Sequence, residues 1–211
     1  PAHPRTAARV ARPGPRLMPA LSDAPLLYLV EHAEPDWVAM NERKLPGGIN
    51  DFVDLTPAGI AQSEQAAHEL AGVDAARVVS SPMTRALQTA AIVAAALGLP
   101  LSVEFDLREW CPDMTYRWTT AAEARTAYED LMMCGGEWPP GQSRAWEPLP
   151  AVQARALRVL KRVASGTGPT IVVCHSVVIQ ALTGQVMTDH GDVVVTRFVV
   201  DRPGPPLSRL M

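Results

Sequence analysis

The chain is poor in the residues that hold metals or staple small folds. Only three cysteines, Cys111, Cys134 and Cys174, occur in 211 residues. They are scattered, odd in number and never spaced Cys-x-x-Cys, so neither a zinc site nor a disulfide framework is supported. Cys174 follows Thr170-Ile171-Val172-Val173 and reads as a small buried hydrophobe. Such cysteine usage suits a reducing cytoplasm. No run of about 18 apolar residues appears, which removes a membrane-spanning helix. There is no Gly-rich nucleotide loop, no cluster of residues with metal-ligand spacing and no internal repeat, so neither a metal nor an organic cofactor is expected.

Charge is also scarce, and it is unevenly spread. The net charge is −3. Residues 1–25 hold Arg5, Arg9, Arg12 and Arg16 against Asp23 alone, leaving 15 Lys/Arg and 21 Asp/Glu for the rest. An acidic body excludes a nucleic-acid surface, which needs a basic face. Residues 1–25 read as a disordered Pro/Ala/Arg-rich extension; a transit peptide or an anion-binding arm is the alternative. Met18 is a candidate natural start.

What is present is a hydrophobic content of 47% and a regular alternation of short apolar runs with helical patterns. That alternation predicts an α/β fold, a three-layer α/β/α sandwich on a mostly parallel sheet. Strands are expected at Leu26–Val30, Arg77–Val79, Leu101–Phe105, Thr170–Cys174 and Val193–Val200. Thr56 followed by Pro57 is a helix start of hydroxyl cap then proline, running to about Leu70. Ser81 and Pro82 repeat that signal, and Gly98 and Pro100 stop the helix they open. Further helices are expected from about Pro148 to Ala164 and from Ser176 to Met187. The body spans 26–201, and 202–211 is a Pro-rich tail.

Residues 108–150 break the rhythm. They hold four of the five tryptophans, Trp110, Trp118, Trp138 and Trp146, with Gly135-Gly136 and Pro139-Pro140-Gly141. This pattern predicts an inserted cap over the sheet. The aromatics either line a pocket for an apolar small molecule or form the cap's own small core.

Two histidines end two of the strands. His32 follows Leu26-Leu27-Tyr28-Leu29-Val30-Glu31, and His175 follows Cys174. Parallel strands gather their carboxyl ends at one crevice, where ligands bind. The two histidines are therefore expected at one site. His3, His68 and His190 fall in the tail, on a helix and in a loop, and are expected to be solvated.

Five blocks, in order, resemble the histidine phosphatase superfamily, also called phosphoglycerate mutase-like. Tyr28-Leu29-Val30-Glu31-His32-Ala33-Glu34 resembles its first block, normally strand then Arg-His-Gly-Glu. Leu55-Thr56-Pro57-Ala58-Gly59-Ile60-Ala61-Gln62 resembles the second. Val79-Ser80-Ser81-Pro82-Met83-Thr84-Arg85-Ala86-Leu87-Gln88-Thr89-Ala90 is the most specific. Leu107-Arg108-Glu109-Trp110 and Val173-Cys174-His175-Ser176 complete the set. The resemblance implies His32 as a nucleophile that becomes phosphohistidine, with His175, Arg85 and residue 31 holding the phosphate. It implies Glu109 as the general acid, and it is compatible with a homodimer.

Residue 31, however, is Glu where the resemblance expects Arg. Charges about 4 Å apart interact by about 4 kcal/mol at an effective dielectric of about 20. Glu31 is therefore expected to repel a phosphate, to pair with Arg85, and to favour protonated histidines that cannot attack phosphorus. The leading expectation is a remodelled enzyme with weak or no phosphatase activity. Glu31, His32, His175 and Glu109 would then do acid/base chemistry (elimination, isomerisation or cyclisation) on an apolar molecule. Arg85, Glu34, Trp110, Tyr116 and Trp118 would bind it. One alternative is a phosphomonoesterase working through phosphohistidine at His32, with Arg117, Arg125 or Arg144 replacing the lost cation. A second is a non-catalytic small-molecule-binding protein.

Overall fold

The computed structural model describes residues 25–43, 47–164, 168–185, 190–198 and 207–209. The basic extension, residues 1–24 of it, lies outside the described residues. The strands are β1 (Leu26–Glu31), β2 (Arg77–Ser80), β3 (Leu101–Val103), β4 (Thr170–Cys174), β5 (Val193–Phe198) and β6 (Leu207–Arg209). They form one sheet in the order β3-β2-β4-β1-β5-β6. The first four are mutually parallel; β5 runs antiparallel to both β1 and β6. The Pro-rich tail therefore contributes a sixth strand, which its composition concealed.

The helices are α1 (Trp37–Glu42), α2 (Pro57–Leu70), α3 (Thr84–Leu97), α4 (Ala121–Met133), α5 (Leu149–Val163) and α6 (Ser176–Thr183). Alternation along the strands sends side chains to opposite faces. Val30, Val78, Ile171 and Val173 meet α2 and α3 through Ala66, Leu70, Ala86, Ala90 and Val93. Leu27, Leu29, Val79 and Val172 meet α5 and α6 through Val152, Val159, Leu160 and Ile179. These two cores on one sheet make the expected three layers. β4 is buried along its whole length, which is why it reads as an unbroken apolar run.

Local signals set most helix ends. Thr56 Oγ1 accepts from Gly59 N at 2.9 Å and Pro57 opens α2. Gly98, at φ +66°, ends α3 in the left-handed region where a Cβ is penalised. Ser81 does not cap α3: that helix begins at Thr84, and Ser81 turns to other work. β3 stops at Val103 because Phe105–Leu107 tightens into a 3-10 turn. α6 ends at Thr183 rather than Met187, at a left-handed Gly184. Within the cap, Thr120 and Glu123 close a reciprocal capping box that starts α4, a helix the sequence patterning did not announce.

Candidate active site

The register of β1 and β4 places the two histidines together. Glu31 pairs with Cys174 across the sheet, and His32 N continues that ladder to Cys174 O at 3.1 Å. The next residues, His32 and His175, bring their rings to 5.0 Å between centroids, edge to face. Both are buried.

Arg85, in the first turn of α3, lies between them. Its Nε donates to His32 Nε2 at 3.1 Å, and its Nη2 lies 3.4 Å from His175 Nδ1. Those contacts fix both tautomers. His32 keeps its proton on Nδ1, donated to Ala33 O at 2.8 Å. His175 keeps its proton on Nε2, donated to Ser81 Oγ at 2.7 Å. Ser81 is thus the partner that orients His175. Burial, then the Arg85 charge, holds both imidazoles well below the usual histidine value. This overturns one sequence expectation. Glu31 does not drive the histidines to the protonated form, because desolvation and the neighbouring guanidinium outweigh it.

A cavity of about 310 Å³ opens beside this trio. Glu31, His32, Arg85 and Glu109 line it, as do Trp110, Tyr116 and Trp118. Glu31 is 6% exposed; burial lowers the Arg85 pKa from its ordinary value, and the charges of Glu109, Asp51 and Glu31, in that order, offset part of that. Glu109 is held by Trp110 N, which donates to its Oε1 at 2.7 Å. Its carboxyl is nonetheless enclosed deeply enough that burial raises its pKa above the usual value. Cys111 also faces the cavity; burial pushes its thiol up to about 11, so it is no nucleophile at neutral pH.

Glu34 is not brought to this cavity. Its carboxylate accepts from Thr56 Oγ1 at 2.8 Å and its backbone N–H donates to Gln62 Oε1 at 2.8 Å, so it ties the loop after His32 to α2. Arg117, Arg125 and Arg144 do not line the cavity either. Arg144 is engaged with Asp130 at 3.0 Å. Arg108 lines it instead, as do Trp37, Asp51 and His190. His190 is exposed, and its ring centroid lies 5.5 Å from that of His32. Trp37 faces Arg85 with 5.4 Å between Cζ and the ring centroid.

The cap's aromatics divide between the two expected roles. Trp146 is buried and donates to Asp130 Oδ2 at 2.7 Å, and Trp138 donates to Trp146 O at 3.0 Å. These two form core. Tyr116 and Trp118 line the cavity with ring centroids 5.7 Å apart. Tyr116 is the only described non-glycine residue at positive φ, +57°, a conformation aromatic residues rarely adopt. Trp110 does both, facing the cavity and donating to Glu147 O at 2.6 Å.

Arg155 of α5 anchors the root of the cap. It donates to the carbonyls of Asp106 at 2.8 Å, Arg108 at 2.6 Å and Glu109 at 3.1 Å. It also pairs with both oxygens of the buried Glu147, at 2.8 and 3.0 Å. The backbone that carries Arg108 and Glu109 is therefore set by one guanidinium. Its sequence context, on the apolar face of a helix, was the only available signal.

Two strand-end imidazoles around an arginine, at the carboxyl edge of a parallel sheet, define a histidine-centred site. The chain belongs to the histidine phosphatase superfamily (branch 1), whose family model matches residues 27–195. It is 39% identical over 83 residues to a putative phosphoserine phosphatase 2 of Hydrogenobacter thermophilus, covering 39% of each chain. It is 34% identical over 83 residues to a probable phosphoglycerate mutase of Salmonella typhi, covering 39% of this chain and 37% of that one. The match thus spans about two fifths of these curated relatives. Among solved structures, a mycobacterial glucosyl-3-phosphoglycerate phosphatase aligns with a TM-score of 0.63 at 22% identity, over 82% of this chain and 90% of that one. A Bacillus stearothermophilus protein, YhfR, aligns with a TM-score of 0.64 at 24% identity, over 88% and 95%. The structural matches establish the fold. Among the described residues no helix is long and apolar enough to cross a membrane, and no cluster of three His, Cys, Asp or Glu side chains could hold a metal.

Proposed function

We propose that the protein is a phosphomonoesterase acting through a phosphohistidine at His32. The observation that carries this reading is the His32 tautomer. Its Nδ1–H is committed to Ala33 O, so the lone pair sits on Nε2, where it accepts from Arg85 Nε at 3.1 Å. Low proton affinity keeps Nε2 unprotonated at neutral pH, ready to attack once Arg85 turns to a phosphoryl group.

The reaction follows from the residues present. His32 Nε2 forms a bond to phosphorus as the ester P–O bond breaks. The departing oxygen takes a proton from Glu109, whose raised pKa suits an acid. Water then attacks phosphorus, its proton passes to Glu109, and the N–P bond electrons return to Nε2. Arg85 moves from the His32 lone pair to the phosphoryl oxygens, where its charge matters most. Arg108, which pairs with Asp106 at 3.5 Å and Glu147 at 3.6 Å yet lines the cavity, supports the anion in the role the resemblance gives to an arginine at position 31. Neutral histidines and a second cavity arginine answer two of the three objections raised by Glu31; its direct repulsion stays.

The test is acid-labile, base-stable phosphate on the protein after incubation with an aryl phosphate. The label should map to His32 and vanish in His32→Ala. Turnover without any phosphoprotein, or undiminished turnover in His32→Ala, would overturn the reading.

A second reading has one specific support. Glu31, Asp51 and Glu109 outnumber Arg85 and Arg108 in the cavity lining. A surplus of carboxylates beside neutral imidazoles suits acid/base chemistry on an apolar molecule that carries no phosphate. Tight binding of such a molecule with no affinity for vanadate would favour it.

A further inference from the structure

The cavity has an unusual wall for a phosphate-ester site. Four aromatic rings, Trp37, Trp110, Tyr116 and Trp118, share it with Glu31 and Asp51. Aromatic faces combined with carboxylates are the chemistry that recognises an organic cation, above all a quaternary ammonium. Trp37 already has a cation near its ring, with the Arg85 guanidinium 5.4 Å from the ring centroid.

We infer that the ester this cavity takes carries a quaternary ammonium group, received by Trp37, Tyr116 and Trp118 and balanced by Glu31 and Asp51. This rests on the phosphomonoesterase reading and gives its substrate class. Charge is the reason. Glu31 and Asp51 line the cavity with Arg85, and with Glu109 they offset part of the burial that lowers the Arg85 pKa, so Arg85 is their counter-charge while no ester is bound. A phosphate dianion that draws Arg85 and Arg108 to itself strips these carboxylates of their counter-charge inside a partly buried wall. An anionic ester alone worsens the balance. An ester with its own cation restores it, exchanging one set of ion pairs for another.

The position of Glu31 then has a use. The carboxylate that repels a plain phosphate monoester becomes a selector for one bearing positive charge, by penalising the others. Tyr116 and Trp118, 5.7 Å apart between centroids, offer ring surface to an alkylammonium without requiring a hydrogen bond from it. Such a group has no N–H to give, so ring faces and carboxylate charge are what can hold it.

The decisive comparison is phosphocholine against the phosphate of 3,3-dimethylbutanol, which replaces the nitrogen by carbon at equal shape. Phosphate release should give phosphocholine a kcat/KM at least about tenfold higher. Glu31→Gln should raise kcat/KM for the carbon ester while eroding that preference, and Asp51→Asn should erode it as well. Equal or faster cleavage of the carbon ester by the unaltered protein would overturn the inference. So would a preference untouched in both variants. Choline alone, titrated against tryptophan fluorescence, separates the two layers. Saturable quenching that weakens in Glu31→Gln supports the ammonium site even where no ester is cleaved, and that combination overturns the phosphomonoesterase reading instead. Absence of choline binding together with cleavage of neutral esters overturns the ammonium site and leaves the phosphomonoesterase standing.

Discussion

Arg85 Nε donates to His32 Nε2 at 3.1 Å, so the guanidinium occupies the lone pair that would attack phosphorus. The same contact lowers the proton affinity of His32. Removing the arginine should act twice. Arg85→Ala is expected to lower kcat/KM by at least about a hundredfold, the loss typical of one transition-state donor. The acid limb of its pH profile should also move to higher pH, as His32 loses a repelling charge. A limb that stays in place would mean burial alone sets the His32 pKa.

Both histidines carry depressed pKa values in the folded state, against an ordinary value of 6.5. Below pH 6.5 the unfolded chain takes up protons that the folded chain refuses. The unfolded state then binds more protons, so stability falls as pH falls, by up to about 1.4 kcal/mol per pH unit for each such group. Thermal unfolding at pH 7 and pH 5.5 should show the decline. His175→Asn should flatten it, because one of the two refusing groups is gone.

Arg155 and Glu147 form a buried pair that also holds three backbone carbonyls. Arg155→Met leaves the buried Glu147 carboxylate with only the longer contact to Arg108, at 3.6 Å, and is expected to cost about 3 kcal/mol in denaturant unfolding. Adding Glu147→Leu should recover part of that stability. It should not recover activity, since the carbonyls of Arg108 and Glu109 stay unanchored. Joint recovery would show that the arginine acts only on stability.

Gly59 lies against the loop that follows His32. A Cβ at this position would fall on the carbonyl oxygen of Glu34, which already accepts from Thr56 N at 3.0 Å. Gly59→Ala should therefore cost about 1–3 kcal/mol, as overpacking does, and lower kcat by shifting the His32 loop. An unchanged melting temperature would mean α2 moves freely.

The tryptophans permit a clean separation. Trp146→Ala removes a buried ring and should cost about 3–5 kcal/mol. Trp118→Ala removes a cavity wall and should raise KM with less than about 0.5 kcal/mol of stability lost, as for a change outside the packed core. The reverse pattern would place the substrate on the other side of the cap.

What the sequence disclosed follows a physical divide. His32, His175 and Arg85 sit at strand ends and a helix start, where local patterning and one resemblance locate them. The layered fold was legible for the same reason. Trp37 reaches the cavity from the start of the six-residue helix α1, and Asp51, Arg108 and His190 from loops and short turns, whose paths depend on tertiary packing that periodicity does not encode. Arg117, Arg125 and Arg144 looked equally eligible as cations, yet none lines the cavity and Arg144 is taken by Asp130. The protonation expected from Glu31 failed on magnitude: counting nearest charges omitted the cost of burying an imidazolium, and that cost dominates.

Because His32 and His175 ride on adjacent, hydrogen-bonded strands, their separation is dictated by the ladder spacing of the sheet and owes nothing to the cap. The imidazole pair and the Tyr116–Trp118 wall are thus housed in separable segments. Residues 112–145 could be exchanged for a foreign segment, with Glu109 kept and the Glu147–Arg155 pair kept at the root, and the imidazole pair would keep its geometry while the wall made by Tyr116 and Trp118 was replaced.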